Sequence, residues 1–327
     1  MTDRNLNQTM RDGRRAARRA ARVSVIIPAY NRADLIGETI ESVLNQTFDD
    51  FEIIIVDDGS TDSTREVVRK FDGPIKYIYQ QNRGRSCARN RGFEVSGGDY
   101  VCFLDSDDVF KPRMLERQVS LLDSNNHLGF VYSDYQFINQ TGEILPRPEV
   151  FRGRPLRRGR IFHFLIYFDF IPPSTVMARR DCIDKIGLFE SSLEPAEDLD
   201  WLLRMTSLYE TDYVPEPLCL FRKHDGNTPT TAIEDATIRV VMKHLSDERT
   251  KRTLGAEWRD TYFDLHLMVA NYHYNRLSMA AARKYYFDAL GFCPSSARGL
   301  GVFNLILKSF LGGGARNVAR RVKEKLQ

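Results

Sequence analysis

Blocks of apolar residues alternate with amphipathic stretches over the first hundred positions, and they predict alternating strands and helices. Four apolar runs predict buried strands: Val23–Ile27, Phe51–Val56, Ile75–Tyr79 and Asp99–Leu104. Helical spacing or capping side chains predict the helices between them: Ala33–Asn45, one that starts at Ser60-Thr61-Asp62, and Ser86–Val95. Strands that are apolar throughout and separated by helices are typical of a mostly parallel sheet covered on both faces, so the predicted fold class is α/β.

The pattern becomes mixed after Asp108 and helical towards the C-terminus. Two further strands and two helices are predicted: Gly129–Tyr135, Ser174–Ala178, Pro112–Asp123 and Asp198–Leu208. Tyr213–Arg222 is predicted to be extended and broken by Pro215 and Pro217. Helices dominate from about Ala232. The chain is therefore divided into a flexible basic arm (1–22), an α/β domain (23–231) and a helical C-terminal region (232–327).

Polar, acidic or glycine-containing segments follow the first four strands: Pro28–Asn31, Asp57–Gly59, Asn82–Arg85 and Asp105–Asp108. In a parallel sheet covered by helices, ligands bind beyond the carboxyl ends of the strands. These four segments are therefore predicted to meet at one ligand site.

The chemistry of these segments suggests a cation and a nucleotide. Asp105-Ser106-Asp107-Asp108 offers oxygen ligands that suit Mg²⁺ or Mn²⁺, which often share substrate phosphates. The alternative is an Asp-rich turn whose acids cap the next helix. Asp57 and Asp58 either accept hydrogen bonds from a nucleobase or ribose, or form a tight turn. Arg85 combines a cation with the exposed N–H groups of a helix start, which favours a diphosphate.

Two common nucleotide-binding motifs are absent. The sequence has no GxxxxGK[ST] and no GxGxxG after the first strand, which argues against a P-loop and a dinucleotide-dependent dehydrogenase. Glu197 and Asp198 open a predicted helix, where the helix dipole favours acids whatever their role. His224 stands alone in the sequence, and a single His is more often structural than a ligand.

The composition is that of a globular protein with an uneven distribution of charge. Of the 327 residues, 42% are apolar and 28% are charged, which excludes a fully disordered chain. The net charge is only +3, yet segments 1–22 and 147–160 carry +5 each and 312–327 carries +4. An acidic body with three basic segments predicts an anionic partner, either phosphate-bearing molecules or a membrane surface. The alternative is three solvated, flexible segments.

Cysteines and apolar runs bear on the compartment. Five cysteines without a CxxC pattern predict buried thiols in a reducing compartment and no zinc site. The longest nearly apolar run, Gly299–Leu311, has thirteen residues, whereas a bilayer span needs roughly 20. No secretory signal is found before Val23. A cytoplasmic protein is predicted, with the run either at the membrane interface or packed against the C-terminal helices or a second subunit.

Four segments resemble the family 2 glycosyltransferases in order and spacing. VSVIIPAYNRADLIGETIESVLNQTFDDFEIIIVDDGSTDST (Val23–Thr64) is similar to the nucleotide-binding start of these enzymes, which NRGRSCARNRG (Asn82–Gly92) and DYVCFLDSDDVFKP (Asp99–Pro112) continue. AEDLDWLLR (Ala196–Arg204) resembles the ED motif of the family. The likeness extends to about His224 and omits the N-terminal arm and the C-terminal region.

The resemblance implies a GT-A fold and transfer of a sugar from a nucleotide donor with inversion at the anomeric carbon. Pro28, Tyr30 and Asp58 would contact the base and ribose, with Asp57 beside them. A pair of acids at this place goes with uridine donors in many relatives, so a UDP-sugar is expected and a thymidine donor is the alternative. The acceptor would be a glycan or a lipid-linked molecule, as in the synthesis of surface polysaccharides or glycoconjugates.

The same resemblance implies a metal-dependent reaction. Asp105 and Asp107 would be the acids of the DxD motif, with Asp107 the main protein ligand of Mn²⁺ or Mg²⁺ and His224 completing the metal site. The metal and nearby arginines would stabilise the departing nucleoside diphosphate. Asp198 would take the proton of the attacking acceptor hydroxyl.

Rival functions are less compatible with the residues. A sugar nucleotidyltransferase usually carries a Gly-rich, basic signature after the first strand, where this chain has PAYNRADL. The presence of Asp58, Asp107 and Asp198 together argues against a nucleotide-sugar-binding protein that has kept the fold and lost catalysis. No recognised nucleic-acid-binding module accompanies the Arg-rich segments, so nucleic acid is not an expected partner. A homodimer is compatible with the sequence.

Overall fold

The chain folds into two compact units. The structure, a computed structural model, describes residues 21–148, 155–167, 171–224, 228, 230–292, 299, 301–306 and 309–310. Within these ranges, the first unit comprises residues up to 161 and 171–237, and the second comprises 162–167 and the residues from 238 onward. The basic arm up to residue 20 and the basic tail lie outside the described residues, so the predictions for their anionic partners stay predictions.

The described residues of the first unit contain a nine-stranded sheet: β1 (Val23–Ala29), β2 (Phe51–Asp57), β3 (Ile75–Tyr79), β4 (Tyr100–Phe103), β5 (Val109–Phe110), β6 (Leu128–Ile138), β7 (Ile144–Leu145), β8 (Val176–Arg179) and β9 (Glu210–Arg222). In chain order, the helices of the two units are α1 (Ile36–Leu44), α2 (Thr64–Val68), α3 (Arg85–Val95), α4 (Met114–Ser124), α5 (Phe162–Leu165), α6 (Arg180–Ile186), α7 (Glu197–Leu208), α8 (Thr230–Leu245), α9 (Glu248–Leu254), α10 (Trp258–Asn275) and α11 (Met279–Gly291).

The strand order is β3-β2-β1-β4-β8-β6-β9-β5, with β7 paired to β6. β1 is parallel to its neighbours β2 and β4, and β2 is parallel to β3. β8 lies between β4 and β6 and is antiparallel to both, whereas β9 is parallel to β6. β5 and β7 are antiparallel additions. The predicted α/β class with a mostly parallel sheet and flanking helices is confirmed, and it places the ends of β1, β2 and β4 side by side.

Pro28 lies inside β1 instead of ending it. It pairs with Val56 of β2, whereas on the other side β4 pairs with β1 only as far as Ile26. The carbonyl of Ile26 accepts the N–H of Leu104, and residues two apart in a strand face the same neighbour. Pro28 therefore faces past the end of β4, where its missing N–H breaks no ladder bond. The strand continues to Ala29, two residues beyond the prediction.

β9 passes through both of its prolines without a break. Its register with β6 shifts between Ser133, which faces Val214, and Asp134, which faces Pro217, so a bulge absorbs the irregularity. Within the described residues, β9 pairs with β5 only from Cys219 onward, so Pro215 and Pro217 lie before this pairing starts. Proline is tolerated where the edge of a strand has no partner. The predicted interrupted segment is therefore one continuous strand.

Gly92 allows α3 to pack closely on β1. A Cβ atom at this position would lie 2.3 Å from Cγ2 of Ile26, and Ile26 is fully buried. We expect Gly92→Ala to lower the free energy of unfolding by about 1–3 kcal/mol through overpacking. Denaturant unfolding measures this change.

Gly37→Ala is the matched control for Gly92→Ala. Gly37 also lies in a helix, but its added Cβ would meet Val67 at 3.6 Å, an ordinary contact. Alanine is a better helix former than glycine, so this control is expected to be neutral or stabilising. Equal effects of the two substitutions would contradict the packing argument.

The second unit is helical. Its core contains residues of α10 and α11, such as Phe263 and Tyr286, together with Val302 and Ile306. Val302 and Ile306 belong to the nearly apolar run Gly299–Leu311, and Phe303 between them is exposed. Among the described residues, no helix is long and apolar enough to cross a membrane.

Candidate active site

The acid loop, residues 105–108, follows β4 and carries carboxylates with different surroundings. Asp107 lies beside His224, with its Oδ2 2.9 Å from the Nε2 of the imidazole. The Nε of Arg32 lies 3.5 Å from the same oxygen. His224 comes two residues after the end of β9, so the pairing of β9 with β5 next to the acid loop brings together residues that lie 117 positions apart.

Asp108 points into the core. Its Oδ1 accepts the backbone N–H of Arg222 at 3.0 Å, and its Oδ2 accepts the hydroxyl of Ser174 at 2.5 Å. Burial, followed by the charges of Asp107 and Asp105, raises the pKa of Asp108 well above its usual value. The two hydrogen bonds of Asp108 anchor the loop. Asp108 does not cap the next helix, as the alternative of an Asp-rich turn would have it, because its hydrogen-bond partners are Ser174 and Arg222.

Asp105 is turned towards Arg89 on α3. The Nη2 of Arg89 donates to Oδ1 of Asp105 at 2.6 Å, and its Nη1 donates to Oε1 of Glu197 at 2.7 Å. The Nε of Arg85 lies 3.2 Å from the same Glu197 oxygen. Although burial alone would raise the pKa of Asp105, the charge of Arg89 holds it below its usual value. The acid loop is thus joined to the first turn of α7.

Asp198, the predicted base, lies in this first turn of α7. Its Oδ1 accepts the N–H of Leu199 at 2.8 Å. Burial, followed by the negative charge of Glu197, raises the pKa of Asp198 to about 7, against the opposing charge of Arg89. A general base is most effective when its pKa lies near the working pH. The surroundings of Asp198 therefore suit proton abstraction near neutral pH.

Asp57 closes the turn after β2. Its Oδ1 accepts the N–H of Ser60 at 2.8 Å, and its Oδ2 accepts the hydroxyl of Tyr77. Gly59 has a φ of 85°, and a Cβ there would lie 2.8 Å from the backbone nitrogen of Asn82. Both carboxylate oxygens of Asp57 thus accept hydrogen bonds within the protein. This favours the alternative in which Asp57 forms a tight turn.

Asp58 organises the loop that precedes α3. Its Oδ1 accepts from Nε2 of Gln80 at 2.7 Å and from the N–H of Arg83 at 2.9 Å, and its Oδ2 accepts the N–H of Gly84 at 2.8 Å. A carboxylate has about four acceptor sites. The described contacts use three of these acceptor sites, and Asp58 is 3% exposed.

The predicted diphosphate site at the start of α3 already holds a carboxylate. Oε1 of Glu194 accepts the N–H of Ser86 at 2.8 Å. A Cβ on Gly84 would lie 3.0 Å from both oxygens of Glu194, and Gly84 has a φ of 88°. Arg85 reaches the hydroxyl of Thr228 at 3.3 Å. At least one of the helix N–H groups expected to be exposed, that of Ser86, therefore already donates to a carboxylate that lies 108 positions away in the sequence.

Two exposed tyrosines flank the ends of the strands. Tyr30, which the resemblance assigns to the base, is 46% exposed, whereas Pro28 is buried within β1. The N–H of Asn31, which has a φ of 50°, donates to the hydroxyl of Ser60 at 2.9 Å and holds the turn that carries Tyr30. Tyr79, the last residue of β3, is also exposed. Sequence reasoning missed it, although an aromatic residue at a strand end was the available signal.

Arg222 is the main residue of this region that sequence reasoning missed. It is 1% exposed. Its Nε donates to the carbonyl of Asp107 at 2.8 Å, and its Nη1 donates to two carbonyls of the turn after β6. Its Nη2 donates to the carboxylate of Glu38. Arg222 therefore holds the backbone of the acid loop. His224 lies only two residues further along the chain, so these bonds also restrict its position.

The pair of Asp107 and His224 fits a divalent ion. One carboxylate oxygen and one imidazole nitrogen suit Mn²⁺, and their 2.9 Å separation matches two adjacent positions around an octahedral ion with ligands at about 2.1 Å. Within the described residues, no group of three or more His, Cys, Asp or Glu side chains is placed to hold a metal. Asp105 is paired with Arg89, so the structure brings together two of the three predicted ligands.

Three arginines of the basic segment 147–160 are paired with acids of the sheet. The pairs are Arg147 with Asp134, Arg158 with Asp212, and Arg160 with Glu210. Residues 149–154 lie outside the described residues. Part of the charge that predicted an anionic partner for this segment is thus balanced inside the first unit.

Comparison with other proteins gives a consistent result. The sequence model of "Glycosyl transferase family 2" matches residues 24–187. An uncharacterised glycosyltransferase of Rickettsia bellii is 36% identical over 54% of this chain and 27% of its own length. A Rickettsia typhi relative is 34% identical over 64% of this chain and 67% of its own length. The putative teichuronic acid biosynthesis glycosyltransferase TuaG of Bacillus subtilis is 41% identical over 38% of this chain and 51% of its own length.

The chain thus matches only about a quarter of the R. bellii relative and two thirds of the R. typhi one. Solved structures share its fold. TarS of S. aureus, in complex with UDP-GlcNAc, has a TM-score of 0.62 at 19% identity, over 89% of this chain and 92% of the other. A mannosyltransferase of Pyrobaculum calidifontis, in complex with GDP-Man and Mn²⁺, has a TM-score of 0.56 at 20% identity, over 93% and 87%.

These likenesses confirm the predicted GT-A fold. The matched segment contains β1 to β4, the acid loop and α3, whereas Glu197, Asp198 and His224 lie beyond its end. Because the family model covers half of the chain and the R. typhi relative is matched over two thirds of its length, this chain belongs to glycosyltransferase family 2.

Proposed function

We propose that the protein is an inverting, metal-dependent glycosyltransferase that moves a sugar from a UDP-sugar to an acceptor hydroxyl. The observation that supports this proposal is that Arg89 joins the acid loop to the first turn of α7, the turn that carries Asp198. Asp198 has a pKa raised to about 7, and the pair of Asp107 and His224 fits a divalent ion.

Donor binding is assigned to the ends of β1 and β2. Tyr30 offers an exposed ring for stacking on the base, and Asp58, three of whose acceptor sites are used within the protein, is proposed to accept a base N–H or a ribose hydroxyl. The TarS structure holds UDP-GlcNAc, which supports a uridine donor. The P. calidifontis structure holds GDP-Man, so the shared fold alone does not select the nucleotide.

Transfer requires a base and a stabilised leaving group. As the acceptor oxygen attacks the anomeric carbon from the face opposite the diphosphate, Asp198 takes the hydroxyl proton, and the bond to the diphosphate breaks. One such displacement inverts the anomeric centre. Asp107 and His224 would hold the divalent ion, which when bound supplies positive charge for the departing nucleoside diphosphate.

A donor screen tests the proposed function. UDP-GlcNAc, UDP-glucose, UDP-galactose, GDP-mannose and a dTDP-sugar are compared for hydrolysis and for thermal stabilisation of the protein, with Mn²⁺ and with EDTA. We expect a UDP-sugar to stabilise the protein and to be hydrolysed only with the metal. Stabilisation without hydrolysis or transfer to any acceptor would indicate a nucleotide-sugar-binding protein without catalysis.

Loss of the Asp58 carboxylate is expected to weaken UDP binding. Asp58→Ala should weaken the binding free energy of UDP by about 1.5–3 kcal/mol, the usual loss for a hydrogen bond to a charged group, and so raise its Kd. Because Asp58 also holds the loop before α3, Gln80→Ala is the control: it removes one of those loop bonds and leaves the carboxylate. Calorimetry that finds equal UDP affinity in the wild type and Asp58→Ala would exclude the base contact.

The acceptor is proposed to be a glycan or lipid-linked molecule made at the cytoplasmic face of the membrane. The name of TuaG places that relative in teichuronic acid synthesis, which supports a role in surface polysaccharide. The protein would associate peripherally, through the basic tail and anionic headgroups. We expect flotation with anionic liposomes that weakens as salt is added.

A truncation that keeps the described core of the second unit tests the tail. Removing residues 312–327 leaves Val302 and Ile306, which are core residues of that unit. This variant should lose flotation and keep donor hydrolysis. If the full chain does not float with anionic liposomes at low salt, the proposed membrane contact is wrong.

A further inference from the structure

Arg89 ties together two carboxylates from distant parts of the chain. Asp105 belongs to the acid loop, and Glu197 opens α7; each accepts one terminal nitrogen of the same guanidinium, at 2.6 and 2.7 Å. Arg89 is 1% exposed and Glu197 is 2% exposed. A guanidinium is a rigid planar fork, so two bonds from one fork fix the two carboxylates relative to each other.

The guanidinium itself is held in place. Its central carbon lies 5.3 Å from the ring centre of Phe189, which stacks on Trp201 of α7 at 5.4 Å. The backbone of Phe189 exchanges two hydrogen bonds with the side chain of Asn90, the neighbour of Arg89. Helix α3, the aromatic pair and α7 thus form one packed support for the arginine.

Two buried polar atoms of this ion pair have no hydrogen-bond partner in the described part of the chain: Nε of Arg89 and Oε2 of Glu197. Such atoms are uncommon in folded proteins, and each calls for an explanation. A pair selected only for stability would satisfy them or be replaced by apolar residues at little cost. Their presence beside Asp198 points to a role in the reaction.

We propose that Arg89 is a positioning residue for glycosyl transfer, which holds the acid loop and the first turn of α7 in one arrangement and, with Glu197, balances the charge around Asp198. This inference rests on the proposed function, because it takes Asp198 as the base. Arg89 and Arg85 supply two positive charges, and Asp105 and Glu197 supply two negative ones. The group is therefore neutral when Asp198 is protonated.

The two partners act on Asp198 in opposite directions. Burial and then the charge of Glu197 raise the pKa of Asp198, whereas the charges of Arg89 and Arg85 lower it. Removing the negative charge with Glu197→Gln should therefore shift the acid limb of the pH profile of kcat to lower pH. Removing the positive charge with Arg89→Met should shift it to higher pH, each by about one unit.

Arg89→Lys separates position from charge. Lysine keeps the positive charge but has no fork to join both carboxylates, so the acid limb should stay near that of the wild type. Misplacement by about 1 Å can cost roughly 10²-fold in rate. We therefore expect kcat to fall by roughly this factor, with a much smaller change in the KM for the donor.

The experiment compares the pH dependence of kcat for the wild type and the three variants, with Arg179→Met as a control for general loss of packing. Arg179 also lies in the first unit and donates to the backbone carbonyls of Leu128 and Leu122. Its loss should lower the unfolding temperature and leave the acid limb in place. If Arg89→Met does not fold, Arg89→Lys and Glu197→Gln still decide.

Wild-type kcat in Arg89→Lys, or an acid limb that Glu197→Gln leaves in place or moves to higher pH, would overturn the role of Arg89. Failure of the proposed function looks different. In that case the wild type shows no acid limb near pH 7, or Asp198→Asn retains transfer, whatever happens at position 89.

Discussion

Replacing Asp198 with asparagine is expected to lower the kcat of glycosyl transfer by roughly 10²–10⁴-fold, the usual contribution of a general base. The amide keeps the size of the side chain but cannot accept the proton of the acceptor hydroxyl. Because Asp198 lies at the start of α7 and not on the acid loop, UDP affinity should stay nearly unchanged. Steady-state kinetics with the acceptor and calorimetry with UDP measure the two quantities.

Asp200→Asn is the matched control on the same helix. Asp200 accepts a hydrogen bond from Nε of Arg204 at 2.8 Å, so its loss should lower the unfolding temperature while kcat changes far less. Wild-type kcat in Asp198→Asn would make the assignment of the base wrong.

The same substitution has a pH-dependent effect on stability. Asp198 has a folded-state pKa of about 7, above the unfolded value of about 3.9, so the folded protein binds this proton more tightly than the unfolded chain. As pH rises from about 4 to 7, the wild type loses this contribution. Asp198→Asn should therefore unfold at a higher temperature than the wild type at pH 8, and at about the same temperature near pH 4.

The raised pKa of Asp198 also leads us to expect a pH dependence of kcat. Below its pKa of about 7, the carboxyl is protonated and cannot act as a base. Wild-type kcat should therefore fall as the pH is lowered through about 7. A profile that is flat between pH 5 and 8 would contradict this prediction.

Replacing Asp107 with alanine is expected to abolish the increase in UDP affinity that Mn²⁺ gives the wild type. Within the described part of the chain, Asp107 and His224 are the pair proposed to hold the ion. Loss of a supporting outer-sphere partner already costs roughly 10–100-fold in metal affinity, and loss of a direct ligand should cost more. UDP titrations with Mn²⁺ and with EDTA should give the same Kd in Asp107→Ala. His224→Ala should show a similar, smaller loss.

The neighbouring acid provides a sharp control. In Asp108→Asn, the amide oxygen can accept the N–H of Arg222 and the amide N–H₂ can donate to the hydroxyl of Ser174, so both hydrogen bonds are retained. We expect this variant to keep the Mn²⁺-dependent gain in UDP affinity. If Asp107→Ala keeps the gain or Asp108→Asn loses it, the proposed metal ligand is wrong.

Local sequence determined the first half of the fold. β-Branched runs such as Phe51–Val56 form strands wherever both faces of a sheet are covered, and the ends of the strands observed there lie within two residues of the predicted ends. Two of the differences in the sheet concern prolines. Whether Pro28 or Pro215 breaks a strand depends on which neighbouring strand reaches that level, and that is a property of the sheet.

The sequence by itself also predicted where the candidate site lies, because polar segments after parallel strands meet at one edge of the sheet. Only the tertiary structure decided what each acid does. Asp105, Asp107 and Asp108 are nearly equivalent in sequence, yet one pairs with Arg89, one lies beside His224 and one is buried. The partners lie 16 to 117 positions away. Burial and charge depend on distance in space, so they sort these carboxylates only after the chain has folded.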